Sequence, residues 1–428
     1  MRGPFLPSFA AGSVNARLLA SVASALAAPE LAGLVSRGWL AACSGGADST
    51  ALLLASAAAC AASGARLEVA CVDHGLRSGA AGDVAHVAAL CDTLGLTLHV
   101  GRLEWEPDAR PGENELRDAR YAFFARTLRE RGLGGVLLGH TLEDQAETLL
   151  LHLIRGTGPR GLSGMRPVDG DRVRPLLDWR RAALRDFLRA CGVAWREDET
   201  NEGDAYLRNR VRHGLLEAMT RENPRATEAL ARTAGLVRLE HDALVELAEE
   251  ALAGRTIRLP GLLESWPLSE WWRHPPGLRT ILLRRWWRLL CPSRGELPAA
   301  AVLEVAGILA SAGAGIWDWP GPVRLVADRG LLVLVRPDQP LPEGLRLELA
   351  LDSGGAADGR LRFVRPGDRL AREDGTTVRC KKLLEDVPRG LRPYALALAD
   401  AQDRVHWLQY TVAGGRLSIG DVEIPVTV

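Results

Sequence analysis

Short apolar segments alternate with longer helical ones between residues 37 and 156. The strand candidates are "GWLAAC", "RLEVACVDH", "LTLHVGRLEW" and "GGVLLGH". The helix candidates that follow them begin at Ser49 or read "DVAHVAALCDTLG", "ENELRDARYAFFARTLRERG" and "EDQAETLLLHLIRG". Strands that alternate with helices of this length favour a parallel, Rossmann-like α/β sheet with helices on both faces. In such sheets, ligands bind at the carboxyl ends of the strands.

The pattern changes twice after this α/β segment. Residues 218–330 read as helical and include "RATEALARTAGLVRLEHDALVELAEEALAG" and the Trp-rich "LRTILLRRWWRLL". Short strand candidates separated by turn residues follow "RPDQPLPEG". A chain of 428 residues is too long for one ordinary domain. We therefore predict an α/β catalytic domain over residues 1–217, a helical middle domain over 218–335 and a small, mostly β domain over 336–428.

Composition and cysteine usage indicate a cytoplasmic protein that is not in the membrane. No apolar run reaches the roughly 20 residues of a membrane span. Asn15 and Arg17 interrupt the apolar N-terminal stretch, which favours an amphipathic helix over a signal peptide. The seven cysteines form no C-x-x-C pair, which indicates reduced thiols and neither a disulfide framework nor a zinc site. The oligomeric state is left open, with a homodimer as one option.

The stretch "CSGGADSTALLLA", residues 43–55, predicts a phosphate-binding loop between the first strand and its helix. Glycines allow close approach of the backbone, and N–H groups at a helix N-terminus bind anions. The loop lacks the lysine of a Walker motif, which favours a pyrophosphate that leaves intact over transfer of a terminal phosphate. Asp48 beside phosphates implies an intervening Mg²⁺. The predicted nucleotide ligands in this loop are Ser44, Gly45, Gly46, Ala47, Asp48 and Ser49.

The loop resembles the signature of the PP-loop ATP pyrophosphatase family, and later motifs narrow the resemblance. They are "VDHGLR" at 72–77, "GHTLEDQAETLLLHLIRGTG" at 139–158 and "EDETNEGDAYLRNRVRH" at 197–213, followed by "RFVRPGDR", "KKLLEDVPRGLRP" and "RVHWL". In this order they resemble the tRNA(Ile)-lysidine synthetase family over residues 39–408, nearly the whole chain. The order of the motifs is far more specific than any single one.

The resemblance implies a reaction on the wobble cytidine of an isoleucine tRNA with a CAU anticodon. The cytosine O2 attacks the α-phosphate of ATP and pyrophosphate leaves. The ε-amine of free L-lysine then attacks C2 and expels AMP, which gives lysidine. The substrates implied are therefore ATP, free L-lysine and isoleucine tRNA, with Mg²⁺ as the metal ion.

The resemblance also implies roles for individual residues. Val72 and His74 would hold the adenosine of ATP, in addition to the loop residues. Catalytic roles would fall to Asp48, Asp144 and Arg117, and the metal ligands would be Asp48 and Asp144. The lysine-binding residues would be His140, Asp144, Glu147 and Arg208.

The acidic residues at the start of this helix, Glu143, Asp144 and Glu147, could also have a purely structural role. Thr141 with Asp144 predicts a helix cap, and acids in a first turn stabilise a helix dipole by a few tenths of a kcal/mol. Three acids and a histidine at a strand end exceed what capping requires. Asp144 and Glu147 share a helix face. The family usually has Asp where this chain has Glu143, so the role of Glu143 is open.

Arginines could face the phosphates of the substrates. Arg117 and Arg120 lie three residues apart on one helix face, and the alternative for both is a solvated surface. Arg208 and Arg212 share another face, from which Arg210 points away.

The C-terminal segment holds the best basic cluster of the chain. Its members are Arg365, Arg369, Lys381, Lys382 and Arg389. Exposed cations contact phosphates without reading sequence, so we predict that this cluster binds the tRNA, with a solvated turn as the alternative. The tryptophans at 271, 272, 286 and 287 are predicted to form helical core.

Two other functions remain open at this stage. A tRNA thiolase would need cysteines that carry sulfur or hold a cluster, and the chain has no C-x-x-C motif. A non-catalytic, nucleotide-dependent RNA-binding protein would not need Ser44, Asp48, Asp144 and Arg208 together. Release of pyrophosphate with tRNA and lysine separates the three.

Overall fold

The computed structural model describes most of the N-terminal half and shorter segments of the C-terminal half. The described residues are 7, 9–73, 75, 80–103, 111–197, 207–252, 263–267, 271–291, 297, 299–311, 315–319, 323–328, 331–335, 346–350, 356–371, 375–385, 396–399, 405–408, 416–419 and 422–425. Two compact units divide the chain, Met1–His241 and Asp242–Val428. The division falls inside a helix, Ala226–Leu252. The division into three domains, with boundaries at 217 and 335, stays a prediction.

A six-stranded sheet forms the centre of the first unit. Its strands are β1 (Trp39–Ala42), β2 (Leu67–Asp73), β3 (Thr97–Arg102), β4 (Gly135–Leu137), β5 (Val168–Asp169) and β6 (Arg172–Val173), in the order β3-β2-β1-β4-β6-β5. All neighbouring pairs are parallel except β5 with β6. The predicted parallel sheet is confirmed, and its order reverses between β1 and β4, where such sheets place a ligand crevice.

Helices alternate with these strands and follow them along the chain. The longer ones are α1 (Val14–Leu26), α3 (Ala47–Ser63), α4 (Ala80–Leu94), α5 (Glu113–Arg131), α6 (Leu142–Arg155), α8 (Arg181–Ala190) and α11 (Ala226–Leu252). The shorter ones are α2 (Ala32–Val35), α7 (Pro159–Leu162), α9 (Leu207–Arg210) and α10 (Glu217–Glu222). A 3₁₀ turn, Pro29–Leu31, precedes α2, and a π-helical segment, Val211–Leu216, joins α9 to α10. The helix expected from Ser49 begins two residues earlier, at Ala47.

Alternation along the central strands explains how the sheet is covered on both faces. Trp39 and Ala41 of β1 point into one apolar cluster, together with Leu52 of α3 and Phe187 of α8. Leu40, between them, belongs to the opposite cluster with Phe123 and Phe124 of α5. Because α3 contacts the sheet, α1 and α8, it is buried on most sides and needs an apolar sequence rather than an amphipathic one.

The second unit begins with a mixed segment. Helices at Pro276–Leu290 and Ala299–Ser311 pack in a core that contains stacked Trp271 and Trp286, with ring centroids 5.5 Å apart. Trp287 is also buried, as predicted, whereas Trp272 is 41% exposed. An antiparallel sheet of Leu263–Pro267, Leu331–Val335, Val323–Asp328 and Gly315–Trp319 accompanies the helices. These strands of five or six residues were not predicted, because so short an apolar run does not separate strand from helix.

The last part of the chain is a small β region, as predicted. A sheet contains the strands Arg346–Ala350, Ala356–Phe363, Leu396–Ala399, Val405–Leu408, Arg369–Ala371 and Thr377–Arg379, and a hairpin follows at Arg416–Ile419 and Val422–Pro425. In the described parts of the chain, no single helix has the length and apolar character to cross a membrane. Val14–Leu26 and Pro29–Val35 meet that test only as a bent pair.

Candidate active site

A cleft of about 650 Å³ opens at the carboxyl ends of the central strands. The ends of β1, β2 and β4 meet there with the first turns of α3, α6 and α8. The predicted site residues that line it are Ser44, Gly46, Ala47, Asp48, Ser49, Val72, His140 and Asp144. The structure thus brings together the residues assigned to ATP and part of those assigned to lysine.

The phosphate loop has the backbone that an anion cradle needs. Gly45 adopts φ +86°, a left-handed conformation that favours glycine, and Gly46 caps α3 in an extended conformation. The Ser49 hydroxyl donates to the Gly46 carbonyl at 3.0 Å and accepts from the Ser44 N–H at 3.1 Å. The loop is therefore closed on itself, with the N-terminus of α3 directed into the cleft.

Gly139 lets the end of β4 approach this loop. A Cβ at residue 139 would lie 3.2 Å from the carbonyl carbon of Asp48 and 3.2 Å from the Cα of Ser49. That is tighter than ordinary van der Waals contact, and the atoms met are backbone. A side chain here would separate the phosphate loop from the residues that follow β4.

His140 follows Gly139, lines the cleft and is partly buried. Burial lowers the pKa of its imidazole to about 3, against the opposing effect of Asp144. The ring is therefore neutral near pH 7. Its Nδ1 atom is buried without a hydrogen-bond partner in the described residues. A neutral ring with an unused nitrogen can hydrogen-bond a bound substrate.

Asp144 caps α6 and also faces the arginines of the cleft. Its Oδ2 accepts from the Thr141 N–H and hydroxyl, both at 2.9 Å, which confirms the predicted cap. Its Oδ1 accepts from Arg181 at 2.6 Å and from Arg208 at 3.2 Å. Burial alone would raise the pKa of this carboxyl, but the arginines outweigh it and hold the pKa at about 2. Asp144 is ionised at every physiological pH.

Glu147 lies one turn deeper on α6, and its side chain is 0% exposed. Arg212 contacts its Oε1 at 2.7 Å, Arg208 contacts its Oε2 at 3.0 Å, and Arg181 contacts its Oε1 at 3.2 Å. A buried carboxylate of this kind persists only when cations compensate its desolvation. In this structure Glu147 holds three arginines in place, and its direct contact with lysine stays a prediction.

Arg181 is the residue of this cluster that the sequence analysis missed. It is the first residue of α8, and all three nitrogens of its guanidinium contact carboxylates: Nε reaches Asp48 at 3.3 Å, Nη2 reaches Asp144 and Nη1 reaches Glu147. Burial alone would lower its pKa, but these acids raise it. The available signal was "RRAALR", which places Arg181 and Arg185 on one helix face, and both line the cleft.

Asp48 is the carboxylate least compensated by its surroundings. Burial raises its pKa to about 6, and Asp144 and Glu143 add to that rise, while Arg181 opposes it. Glu143 itself accepts a hydrogen bond from the Arg181 backbone N–H at 3.1 Å. Glu143, whose role the sequence left open, thus helps to anchor the first turn of α8.

The described residues do not fit a protein-built Mg²⁺ site. No group of three or more His, Cys, Asp or Glu side chains in the described segments is arranged to hold a metal ion. Asp48 and Asp144, the predicted ligands, are both contacted by the Arg181 guanidinium. Mg²⁺ at a nucleotide site is usually held by one or two carboxylates together with substrate phosphates and water, so two aspartates alone are the protein's usual share of such a site. The metal role of these two aspartates stays a prediction.

The predicted arginines of α5 surround an aromatic ring. Arg117 and Arg120 lie over Tyr121 at 5.1 and 5.8 Å, and Arg172 lies over it at 4.4 Å. Arg120 lines the cleft. The catalytic role of Arg117 stays a prediction, because this structure pairs it with Tyr121 and gives it no contact with Asp48 or Asp144 in the described part.

A loop after α8 closes the other side of the cleft. The Arg196 N–H donates to the Gly45 carbonyl at 2.9 Å, and its guanidinium pairs with Asp83 at 3.1 Å. Trp195 and Glu197 line the cleft beside it. None of Trp195, Arg196 and Glu197 was among the predicted site residues. His74, predicted to bind ATP, and Arg389, predicted to bind tRNA, lie outside the described residues.

Four of the five residues of the predicted C-terminal basic cluster lie near one β-hairpin. Arg369 begins one strand and lies opposite Arg379 of the next. Arg365 precedes the hairpin, and Lys381 and Lys382 follow it, all three exposed. Two arginines directly opposite each other in a hairpin are destabilising without an anion between or beside them. Arg379 thus extends the predicted cluster.

All seven cysteines lie in the described part of the chain. They are free thiols, and six are buried. Cys43 is the one that lines the cleft, and burial raises its pKa. A thiol with a raised pKa is a poor nucleophile. The site therefore lacks the pair of reactive thiols expected of a sulfur-transfer enzyme.

Comparison with known proteins gives consistent matches. A PP-loop domain family matches residues 18–219. A tRNA(Ile)-lysidine synthase of Pseudomonas aeruginosa is 36% identical over 392 residues, which cover 83% of this chain and 86% of the relative. A tRNA(Ile)-lysidine synthase of Solibacter usitatus is 42% identical over 200 residues, 46% of this chain.

The matches differ in extent. The chain spans 44% of the length of the Solibacter usitatus relative, less than half. Among solved structures, the U34-tRNA thiolase NcsA from Methanococcus maripaludis aligns with 54% of this chain and 82% of its own, at 14% identity and a TM-score of 0.45. A likeness that weak carries no conclusion about activity.

Proposed function

Because the chain belongs to the tRNA(Ile)-lysidine synthase family, we propose that it joins free L-lysine to C2 of the wobble cytidine of an isoleucine tRNA. The tRNA substrate carries a CAU anticodon. ATP is consumed, and the products are lysidine, AMP and pyrophosphate. The observation that carries this proposal is a cleft in which a phosphate loop without a lysine residue faces a cluster of carboxylates and arginines.

The reaction has two balanced steps. In the first, the cytosine O2 forms a bond to the α-phosphorus of ATP, and the bond from that phosphorus to the bridging oxygen breaks, which releases pyrophosphate. In the second, the lysine ε-nitrogen bonds to C2 and loses a proton, and AMP departs with the former O2. Pyrophosphate leaves as one piece, which agrees with a loop that has no lysine to grip a transferred phosphate.

In the proposed reaction, cationic groups of the cleft bind the phosphates and a carboxylate binds the lysine amine. The N–H groups of the loop and the N-terminus of α3 hold the phosphates. Arg181 and Arg185 line the same cleft and provide the cations that the loop itself lacks. Asp144, ionised at physiological pH, receives the lysine amine. His140 stays neutral and offers a hydrogen bond to the substrate without adding a positive charge beside that amine.

The C-terminal hairpin is proposed to contact the tRNA. Its exposed cations, Arg369, Arg379, Lys381 and Lys382, form a surface that suits phosphates and reads no bases. We also propose that the three-domain division, with boundaries at 217 and 335, and the cytoplasmic location predicted from the sequence apply to this enzyme.

The test measures pyrophosphate release and the mass of the tRNA product in parallel. The purified chain is incubated with ATP, L-lysine and an isoleucine tRNA transcript, and each component is omitted in turn. Release without lysine, and lysidine only with lysine, is the expected pattern. Replacing the wobble cytidine by uridine in the transcript should abolish both signals and serves as the matched substrate control.

The rival functions give different results in the same assay. A thiolase would form a sulfur-containing base from a sulfur donor and would ignore lysine. A non-catalytic RNA-binding protein would release no pyrophosphate.

Asp48→Ala should abolish adenylation and leave tRNA binding intact, since Asp48 is in the phosphate loop and far in sequence from the C-terminal hairpin.

A further inference from the structure

The amine site of the proposed reaction is already occupied by a side chain of the protein. The Arg181 guanidinium lies among the carboxylates of Asp48, Asp144 and Glu147, at 3.3, 2.6 and 3.2 Å. These three contacts use every nitrogen of the fork. A substrate ammonium that approached Asp144 would meet a cation in its place, and two cations side by side repel each other.

If Arg181 withdrew, Asp144 and Glu147 would each keep at least one other arginine. Asp144 would keep Arg208 at 3.2 Å and the two donors of Thr141. Glu147 would keep Arg212 at 2.7 Å and Arg208 at 3.0 Å. The Arg181 backbone would stay in place, because its N–H is held by Glu143. Among the three, Asp48 alone has no second ion pair in the described residues. The Arg181 side chain can therefore move at modest cost.

A competing partner for Arg181 lies close by. Its Nε contacts Asp48, which lies in the phosphate loop at the first turn of α3. Phosphates bound at that loop would bring several negative charges within reach of the same guanidinium. A planar fork binds two phosphate oxygens at once, and the several charges of a triphosphate compete with the three carboxylates that Arg181 contacts here.

We propose that Arg181 is a nucleotide-responsive gate on the amine pocket. Without nucleotide its guanidinium fills the space between Asp48 and Asp144 and excludes cationic amines. When ATP binds, Arg181 turns to the phosphates, and the place it held beside Asp144 Oδ1 becomes available to the lysine ammonium. The device orders the reaction, because the pocket opens only when the cytidine can be adenylated. This inference rests on the proposed function and adds a coupling between its two small-molecule sites.

A second observation supports a vacated pocket of this kind. His140 lines the same cleft, and its buried Nδ1 has no hydrogen-bond partner in the described residues. Buried polar atoms in proteins are nearly always satisfied. A ligand that enters beside Asp144 would supply the missing partner.

The test measures binding of L-lysine to the full chain by calorimetry, with and without α,β-methylene-ATP, which binds but is not cleaved. For the wild type we expect the analogue to tighten lysine binding by about tenfold or more, within the usual range of coupling between sites. Lysine should tighten binding of the analogue by the same factor, since coupling is reciprocal. Arg181→Gln should bind lysine without nucleotide, and the analogue should then change the affinity by less than about threefold.

Two further variants separate a gate from a structural role. Arg126→Gln removes an exposed arginine of α5 that pairs with Glu130 and does not line the cleft, and it should keep the full nucleotide dependence. Arg181→Lys keeps a charge but not the fork, and an intermediate dependence is expected. Circular dichroism and thermal melting establish that each variant is folded.

Two results would overturn the gate. One is wild-type lysine affinity that does not change with the analogue. The other is a folded Arg181→Gln variant that binds lysine in neither condition, which would make Arg181 a permanent part of the pocket. Lysidine formation by the wild type is measured separately. If the product forms but the coupling is absent, the gate is wrong and the proposed function stands; if no product forms, the proposed function fails with it.

Discussion

Replacing Asp48 by Asn is expected to destroy activity and, at neutral pH, to stabilise the fold. Asp48 lines the cleft, and burial raises the pKa of its carboxyl to about 6 despite the Arg181 ion pair. A folded-state pKa above the unfolded value of 3.8 means that folding favours the protonated form. Ionised Asp48 therefore destabilises the native state, and an amide of the same shape removes that cost.

The magnitude follows from the shift. Raising a pKa from 3.8 to about 6 corresponds to an upper limit of about 3 kcal/mol, at 1.36 kcal/mol per unit. The Asp48 side chain is 28% exposed, and water reduces this figure, so we expect about 1–2 kcal/mol. The penalty is absent below about pH 4, grows as the pH rises through 6 and is complete above about pH 7. Asn cannot ionise, so the gain of the variant over the wild type must follow the same window.

Hydrogen-exchange mass spectrometry of peptides from α3 gives the local free energy of opening. Each variant is compared with the wild type at the same pH, so that intrinsic exchange rates cancel, and the series runs from pH 5 to 8. Asp186→Asn, which breaks an exposed pair with Arg189 on α8, is the control and should change stability by less than about 1 kcal/mol. If the stability of Asp48→Asn relative to the wild type falls as the pH rises, the Arg181 ion pair outweighs desolvation and the reasoning is refuted.

Three other outcomes are expected. In a urea titration, Glu147→Gln should destabilise the first unit by about 2–4 kcal/mol, because three arginines lose a fully buried partner. As a control, Glu130→Gln removes one member of an exposed ion pair and should change the stability by almost nothing. Burial alone would raise the pKa of Glu68, but hydrogen bonds from arginines and a histidine lower it to about 2. Ionised Glu68 therefore stabilises the fold above about pH 4.5, and this contribution is lost toward pH 2, so Glu68→Gln should flatten that part of an acid-unfolding curve. Replacing Lys381 and Lys382 together by Ala should weaken tRNA binding and reduce the slope of log affinity against log salt by up to about 2, while an unchanged slope would place the RNA elsewhere.

The local features of the first unit follow from the sequence. The strand and helix alternation, the lysine-free phosphate loop and the Thr141–Asp144 cap are each determined by residues a few positions apart. Backbone preferences and side-chain periodicity act over that range, so a linear pattern contains them. The parallel pairing of β1 to β4 also follows, because a helix between successive strands is the usual connection of parallel neighbours.

Only the tertiary structure assembled the charges of the site. Nothing in the linear pattern paired Arg181 of α8 with Asp48 of α3 and Asp144 of α6, or put Glu147 under three arginines. Such pairs depend on where separate elements end when they pack on one sheet. A side chain of several bonds can also reach any of several carboxylates, and the choice depends on burial and on all neighbouring charges at once. The sequence therefore determined which groups were present, and packing decided which of them compensate one another, because the energy of a buried charge depends on its complete surroundings.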